Sequence, residues 1–140
     1  MKTTILAVGK MKDRAQLELC AEYSKRLTPA PKILELADNA ALEKHLDKDA
    51  FVVVLDERGK NLSSTEFATA LQGAMNAGKS HMQVVIGGTD GLSDALRAQA
   101  NLLLSFGKLT WPHMLARVMV LEQIYRAKQI LAGHPYHREG

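Results

Sequence analysis

A parallel α/β sheet with helices on both faces is the fold that this sequence predicts, and three observations predict it. Strand-like and helix-like stretches alternate five times along 140 residues. The strand-like stretches TTILAVGK, AFVVVLDE and HMQVVIGG are near-continuous apolar runs, as expected of strands covered on both faces. The intervening stretches carry helix caps and helical periodicity, and that alternation builds a five-stranded, mainly parallel sheet. The length suits one domain, residues 1–140, with one sizeable core.

The elements follow in order. TTILAVGK is a buried strand closed by Gly9. DRAQLELCAEYSKRL sets Leu17, Ala21, Ser24 and Leu27 near helical spacing and predicts an amphipathic helix, which TPAP ends. KILELAD is a second strand and NAALEKHLDKD a short helix. AFVVVLDE, rich in β-branched residues, is predicted as the central strand. SSTEFATALQGAMNAG opens with Ser63 and Glu66 at capping-box spacing. HMQVVIGG is a strand, LSDALRAQAN a helix capped by Ser93 or Asp94, and LLLSFGK a short fifth strand. HMLARVMVLEQIYRAKQILAG is the longest helix, with Leu115, Val118, Leu121, Ile124 and Tyr125 as its apolar face; Gly133 and Pro135 end it.

Charge is unevenly placed. Residues 1–107 hold 13 Lys+Arg and 13 Asp+Glu, so the net +3 resides in residues 108–140, with Lys108, Arg117, Arg126, Lys128 and Arg138 against Glu122 and Glu139. A local basic surface suits an anionic partner such as RNA; a solvated helix face is the plainer reading of the same residues. The single cysteine, Cys20, excludes an internal disulfide. The apolar run Ile5 to Val8 is too short for a signal peptide, and no stretch could span a bilayer, so a cytoplasmic protein without a membrane partner is expected. No Cys/His cluster has ligand spacing, so no metal is expected.

Ligands of such sheets bind at the carboxyl ends of the strands. Those ends carry Leu55-Asp56, Gly87-Gly88 and the loop from Phe106 to Trp111. GAMNAGKS, residues 73 to 80, matches the phosphate-loop pattern but follows a helix and leads into a strand, the reverse of what phosphate binding needs. Gly78 is better read as a helix C-cap. IGGTDGL after a strand lets a ligand approach backbone closely, and by itself says no more. The ending HPYHREG sets two histidines, a tyrosine and an arginine where chains usually fray. Arg117 and Arg126 are nine residues apart on one helix, so they point to roughly opposite sides and cannot both enter one pocket.

The ordered strings LDERGK, IGGTDGL, LTWPHMLARVMVLEQIYRA and HPYHRE resemble the ribosomal RNA large subunit methyltransferase H family of SPOUT-type enzymes, across essentially the whole chain. The resemblance implies a C-terminal trefoil knot and a homodimer. It implies a methyl transfer from S-adenosylmethionine to N3 of a pseudouridine in the helix 69 loop of 23S rRNA, in the assembled ribosome. It places the cofactor at Leu55, Gly87 and Phe106, Gly107, Lys108, Leu109, Thr110 and Trp111. Tyr136, His137 and Arg138 become the catalytic candidates, with the C-terminus completing the neighbouring subunit's site. His113, Arg117, Glu122 and Arg126 become candidates for RNA binding or support of the active site. Two other readings stand beside it: a knotted methyltransferase with another RNA acceptor, and a non-catalytic ribosome-binding factor.

Overall fold

The computed structural model describes residues 1–138; Glu139 and Gly140, the end of the HPYHREG string, lie outside the described residues. The elements are β1 (Lys2–Val8), α1 (Arg14–Lys25), β2 (Lys32–Leu36), α2 (Asn39–His45), β3 (Phe51–Lys60), α3 (Ser64–Asn76), β4 (His81–Ile86), α4 (Asp94–Ala98), β5 (Leu102–Leu104) and α5 (His113–Leu131). Every strand pairing is parallel, in the order β2-β1-β4-β3-β5.

Period-two alternation divides the apolar strand residues between two cores. Ile5, Ala7, Val53, Val84 and Ile86 face α1, α3 and α5 on one side. Leu6, Val52, Val54 and Val85 face α2 and α4 on the other. Side-chain caps start four helices: Asp13, Asp38, Ser63 and Ser93 each accept a backbone N–H in the first turn. The Ser63–Glu66 box is complete in both directions, and Ser93 rather than Asp94 is the cap of α4. Gly78 lies just past α3 at φ +90°, so GAMNAGKS is a helix ending.

Three sequence expectations need correction. The middle of the sheet belongs to β4, with β3 between it and β5. The inward residue of α1 is Cys20, while Leu17 is 46% exposed and Leu19 44%. Helix α1 packs on α5; of the predicted face, Leu27 just past the helix is buried and Ser24 half-buried, while Leu17 and Ala21 are exposed. The long helix buries Val118, Leu121 and Ile124 as expected, but Leu115 is only half-buried, and Ala116, Arg117, Val120 and Ala127 share the inward surface.

β3 also runs further than its apolar stretch. After a register shift between Leu55 and Lys60, Lys60 pairs with Leu104, and the Ser105 amide donates to the Lys60 carbonyl at 2.9 Å. Gly59 permits this crossing. A Cβ there would stand 2.6 Å from the Leu103 carbonyl carbon and oxygen. That contact is with backbone, which cannot step aside.

Candidate active site

The carboxyl ends of β3, β4 and β5 enclose a cavity of about 460 Å³, within the size range of small-molecule sites. Leu55, Asp56, Glu57 and Arg58 line it from β3, and Ile86 to Leu92 from the glycine loop after β4. Ser105, Phe106, Gly107, Leu109, Thr110 and Trp111 come from the loop before α5, with His113 and Ala116 from α5 itself. Seven of the eight residues predicted for the cofactor thus meet here. Lys108 is exposed and does not line the space.

Local bonds shape the walls. Ser105 Oγ donates to the Gly107 carbonyl at 3.0 Å and accepts from the Gly107 amide at 3.1 Å, closing a tight turn with Gly107 at φ +104°. Trp111 Nε1 donates to the Phe106 carbonyl at 3.2 Å, folding the loop back on itself. At Gly87 a Cβ would stand 2.9 Å from Leu92 Cδ2, so only glycine leaves both the cavity and the Leu92 side chain as they are. Leu109 is 77% exposed and Trp111 41%, which leaves apolar surface at the mouth. Arg97 was not anticipated by the sequence reading. Its guanidinium reaches the Asp56 carboxylate at 3.3 Å and the Leu92 carbonyl at 2.7 Å, and it also pairs with Asp94. The i, i+3 spacing of Asp94 and Arg97 was the one available signal.

Apolar residues beside charged ones in the lining, and glycines permitting close approach, suit a flat heteroaromatic ring joined to a polar tail. S-adenosylmethionine has that chemistry, so the residues present fit it. Among the described residues, no group of three His, Cys, Asp or Glu is arranged to hold a metal, and no helix is long and apolar enough to cross a membrane.

The two arginines of α5 part company. Arg117 is 2% exposed; its NH1 donates to Glu35 Oε2 at 2.7 Å and its NH2 to the Gly9 carbonyl at 3.0 Å. The same Glu35 oxygen accepts from the Met11 amide at 2.7 Å. The Met11 amide and then Arg117 hold the Glu35 carboxyl below the usual carboxylate range, against an opposing push from desolvation. Arg117 therefore faces the ends of β1 and β2, and the cavity does not include it. Its neighbour on the helix, His113, does line the cavity.

Arg126 belongs to the tail. Its Nε and NH2 grip both Glu122 oxygens at 2.7 and 3.1 Å, and its NH1 meets His137 Nδ1 at 3.0 Å. The guanidinium lies 5.0 Å from the centre of the Tyr136 ring, which packs edge-on against Tyr125 at 4.7 Å. Arg26, the C-cap of α1, stacks over Tyr23 and Tyr125. Burial pushes the Tyr136 hydroxyl up. Arg138 is exposed. None of the described tail residues lines the first cavity. A second cavity, of about 490 Å³, lies on that side of α5, lined by Leu19, Tyr23, Phe67, Val118 and Glu122 among others. Ser105, Phe106 and Gly107 line both spaces, so one loop is the wall between them.

Comparison with known proteins identifies the family and the fold. The family described as "Predicted SPOUT methyltransferase" matches residues 1–137. "Ribosomal RNA large subunit methyltransferase H" of Dinoroseobacter shibae is 44% identical over 156 aligned residues, covering 99% of each chain. The protein of the same name from Erythrobacter litoralis is 46% identical over 136, covering 97% of each. Among solved structures, ribosomal RNA small subunit methyltransferase E from Neisseria gonorrhoeae, bound to S-adenosyl methionine, superposes with a TM-score of 0.55. That match is 14% identical and covers 94% of this chain and 66% of the other, a likeness of fold.

Proposed function

This chain belongs to the ribosomal RNA large subunit methyltransferase H family of SPOUT methyltransferases, and from that premise we propose that it methylates N3 of a pseudouridine in the helix 69 loop of 23S rRNA, in the assembled ribosome, as a homodimer. Membership implies the C-terminal knot expected above. The observation that carries the proposal is the meeting of Leu55, Gly87, Phe106, Gly107, Leu109, Thr110 and Trp111 in one cavity at the strand ends. S-adenosylmethionine, when bound, supplies a methyl group already activated by its sulfonium.

The chain's own residues then have four tasks. Leu55 and Phe106 line the interior with apolar surface, and Leu109 and Trp111 stand at the mouth where a bound ligand would be covered by them. Gly87 and the loop 105–111 orient the ligand through backbone groups. His113, half-buried at the cavity edge, borders the acceptor side. Removal of the N3 proton falls to the tail, with His137 and Tyr136 as candidates and Arg138 as a partner for phosphate or the developing anion.

The docked tail is not set for that step. Arginine only donates, so the His137 Nδ1 lone pair is committed to Arg126. Tyr136, with its hydroxyl pushed up, remains a neutral donor. Both facts favour a tail that works away from its own helix, in the cavity of a neighbouring subunit. Exposed Leu17 and Leu19 on α1, beside the second cavity, give apolar surface for such a neighbour.

Titration calorimetry with S-adenosylmethionine tests the cofactor, and absence of binding would leave only the ribosome-binding reading. Mass mapping of 23S rRNA from a deletion strain tests the acceptor; an intact modification there would point to another RNA. Subunit mixing tests the tail. A chain lacking residues 134–140 is combined with a Gly87→Val chain, each inactive alone. Activity should return in the heterodimer only if tails cross, and confirmed exchange without activity would overturn that part of the reading.

A further inference from the structure

The cavity wall holds a charged pair that methyl transfer, as described above, does not use. Asp56 ends the apolar part of β3, and only 10% of its side chain is exposed; Arg97 of α4 is 17% exposed. Asp56 Oδ1 accepts from the Arg58 amide at 2.9 Å, and its Oδ2 accepts from Arg97 NH1 at 3.3 Å. The guanidinium also holds the Leu92 carbonyl at 2.7 Å and pairs with Asp94, whose side chain is 96% exposed. Asp56, Leu92 and Arg97 all line the cavity.

The two ligands that a methyltransferase must tell apart differ by one methyl group and one positive charge. The substrate cofactor carries a sulfonium, and its product, S-adenosylhomocysteine, carries a neutral thioether. Apolar walls respond weakly to a single methyl group. A full charge is sensed most strongly by ionised groups with little water between them and the ligand. Glu57, Arg58 and Asp90 also border the cavity but are exposed, so solvent screens them. The enclosed pair is left as the source of a field inside the cavity, and its opposed charges nearly cancel.

We propose, resting on the methyltransferase reading, that the Asp56–Arg97 pair sets the charge preference of the cavity and so its selection between S-adenosylmethionine and S-adenosylhomocysteine. Neutralising either partner shifts the balance of charge at the wall. Arg97→Gln leaves the enclosed Asp56 carboxylate unanswered, which favours the sulfonium. Asp56→Asn keeps an acceptor for the Arg58 amide and leaves a guanidinium answered only by the solvent-screened Asp94, which disfavours it more weakly.

The test is calorimetry with both ligands on the whole protein, for wild type, each variant and the double variant, at low salt. The ratio of the two dissociation constants should move at least about twofold toward S-adenosylmethionine in Arg97→Gln, and the other way by a smaller factor in Asp56→Asn, where Asp94 still answers the guanidinium. About twofold is the size expected of one charge at roughly 8 Å even in near-aqueous surroundings. The double variant should return toward the wild-type ratio. Equal weakening of both ligands, or shifts of the same sign in both variants, would make the pair a wall support and overturn the proposal. Circular dichroism checks folding; should one variant fail to fold, the sign of the shift in the other decides. A wild-type protein that binds neither ligand would overturn the methyltransferase reading itself, which separates that failure from this one.

Discussion

Two arginines nine residues apart on α5 have been put to opposite uses. Arg117 is sealed behind the sheet ends, where it ties α5 to Gly9 of the β1–α1 loop and Glu35 of β2. Arg126 stays near the surface, steadied by a fork to Glu122 of its own helix, and holds a short peptide segment through the His137 imidazole and the Tyr136 ring face. The first arginine is committed to scaffold because every strong contact it makes crosses the core. The second makes contacts that are local, partly wet and reversible. The contrast shows why a basic residue cannot be assigned to RNA from its type alone.

Arg117 should give the largest effect on stability. Replacing it with alanine strands Glu35 and the Gly9 carbonyl and leaves a gap under α5. Breaking a buried pair costs about 3–5 kcal/mol, and the solvent reaching Glu35 lowers this to about 2–3 kcal/mol. For a domain of this size the melting temperature should fall by on the order of 10 °C. Thermal unfolding measures it, and a shift within a degree or two would show that the guanidinium contributes nothing net.

The fold was legible to the extent that it is written in periodicity and caps. All ten elements were read in order because each has an apolar run or a cap of its own. Gly59 was not legible, since its need arises from β3 crossing the backbone of a strand more than forty residues later. The inward turn of Cys20 depended on where α5 would lie. At the site, the strand-end rule located the cavity without any motif, and Asp56 was among the residues it marked. Arg97 was missed because its partners converge only in space. The place of Arg117 was not legible, because helical geometry says that two residues diverge, but not which one meets the core.

Glu35 sharpens the comparison at intermediate size. Its folded-state carboxyl is held low, so its contribution is fully present above the unfolded value of about 4.3 and is lost as pH falls through the folded value. Glu35→Gln should therefore be less stable than wild type at neutral pH, by about 1 kcal/mol given the partial exposure. The gap should narrow as wild type is acidified below about pH 4. Urea midpoints at pH 7 and pH 3 measure it. A gap of the same size at both values would show that the charge on Glu35 is not what Arg117 and the Met11 amide hold.

Arg126 should give the smallest effect on stability and the clearest effect on function. Its fork with Glu122 is an i, i+4 pair worth about 0.3–0.5 kcal/mol, and its stacking on Tyr136 adds about 0.5–1 kcal/mol at a partly exposed site. Arg126→Met keeps the aliphatic stem and should lower the melting temperature by only a few degrees. What it removes is the docking of Tyr136 and His137 on α5, so cleavage by limited proteolysis after residue 133 should become faster. If the docked posture is a resting place from which the tail leaves to act, methyl transfer should survive or rise in Arg126→Met while His137→Ala abolishes it. If Arg126 positions the tail for chemistry, both substitutions should fall together, with the turnover rate rather than cofactor affinity carrying the loss. The His137 lone pair supports the first outcome, because a nitrogen already accepting from a guanidinium cannot at the same time take a proton from the substrate base.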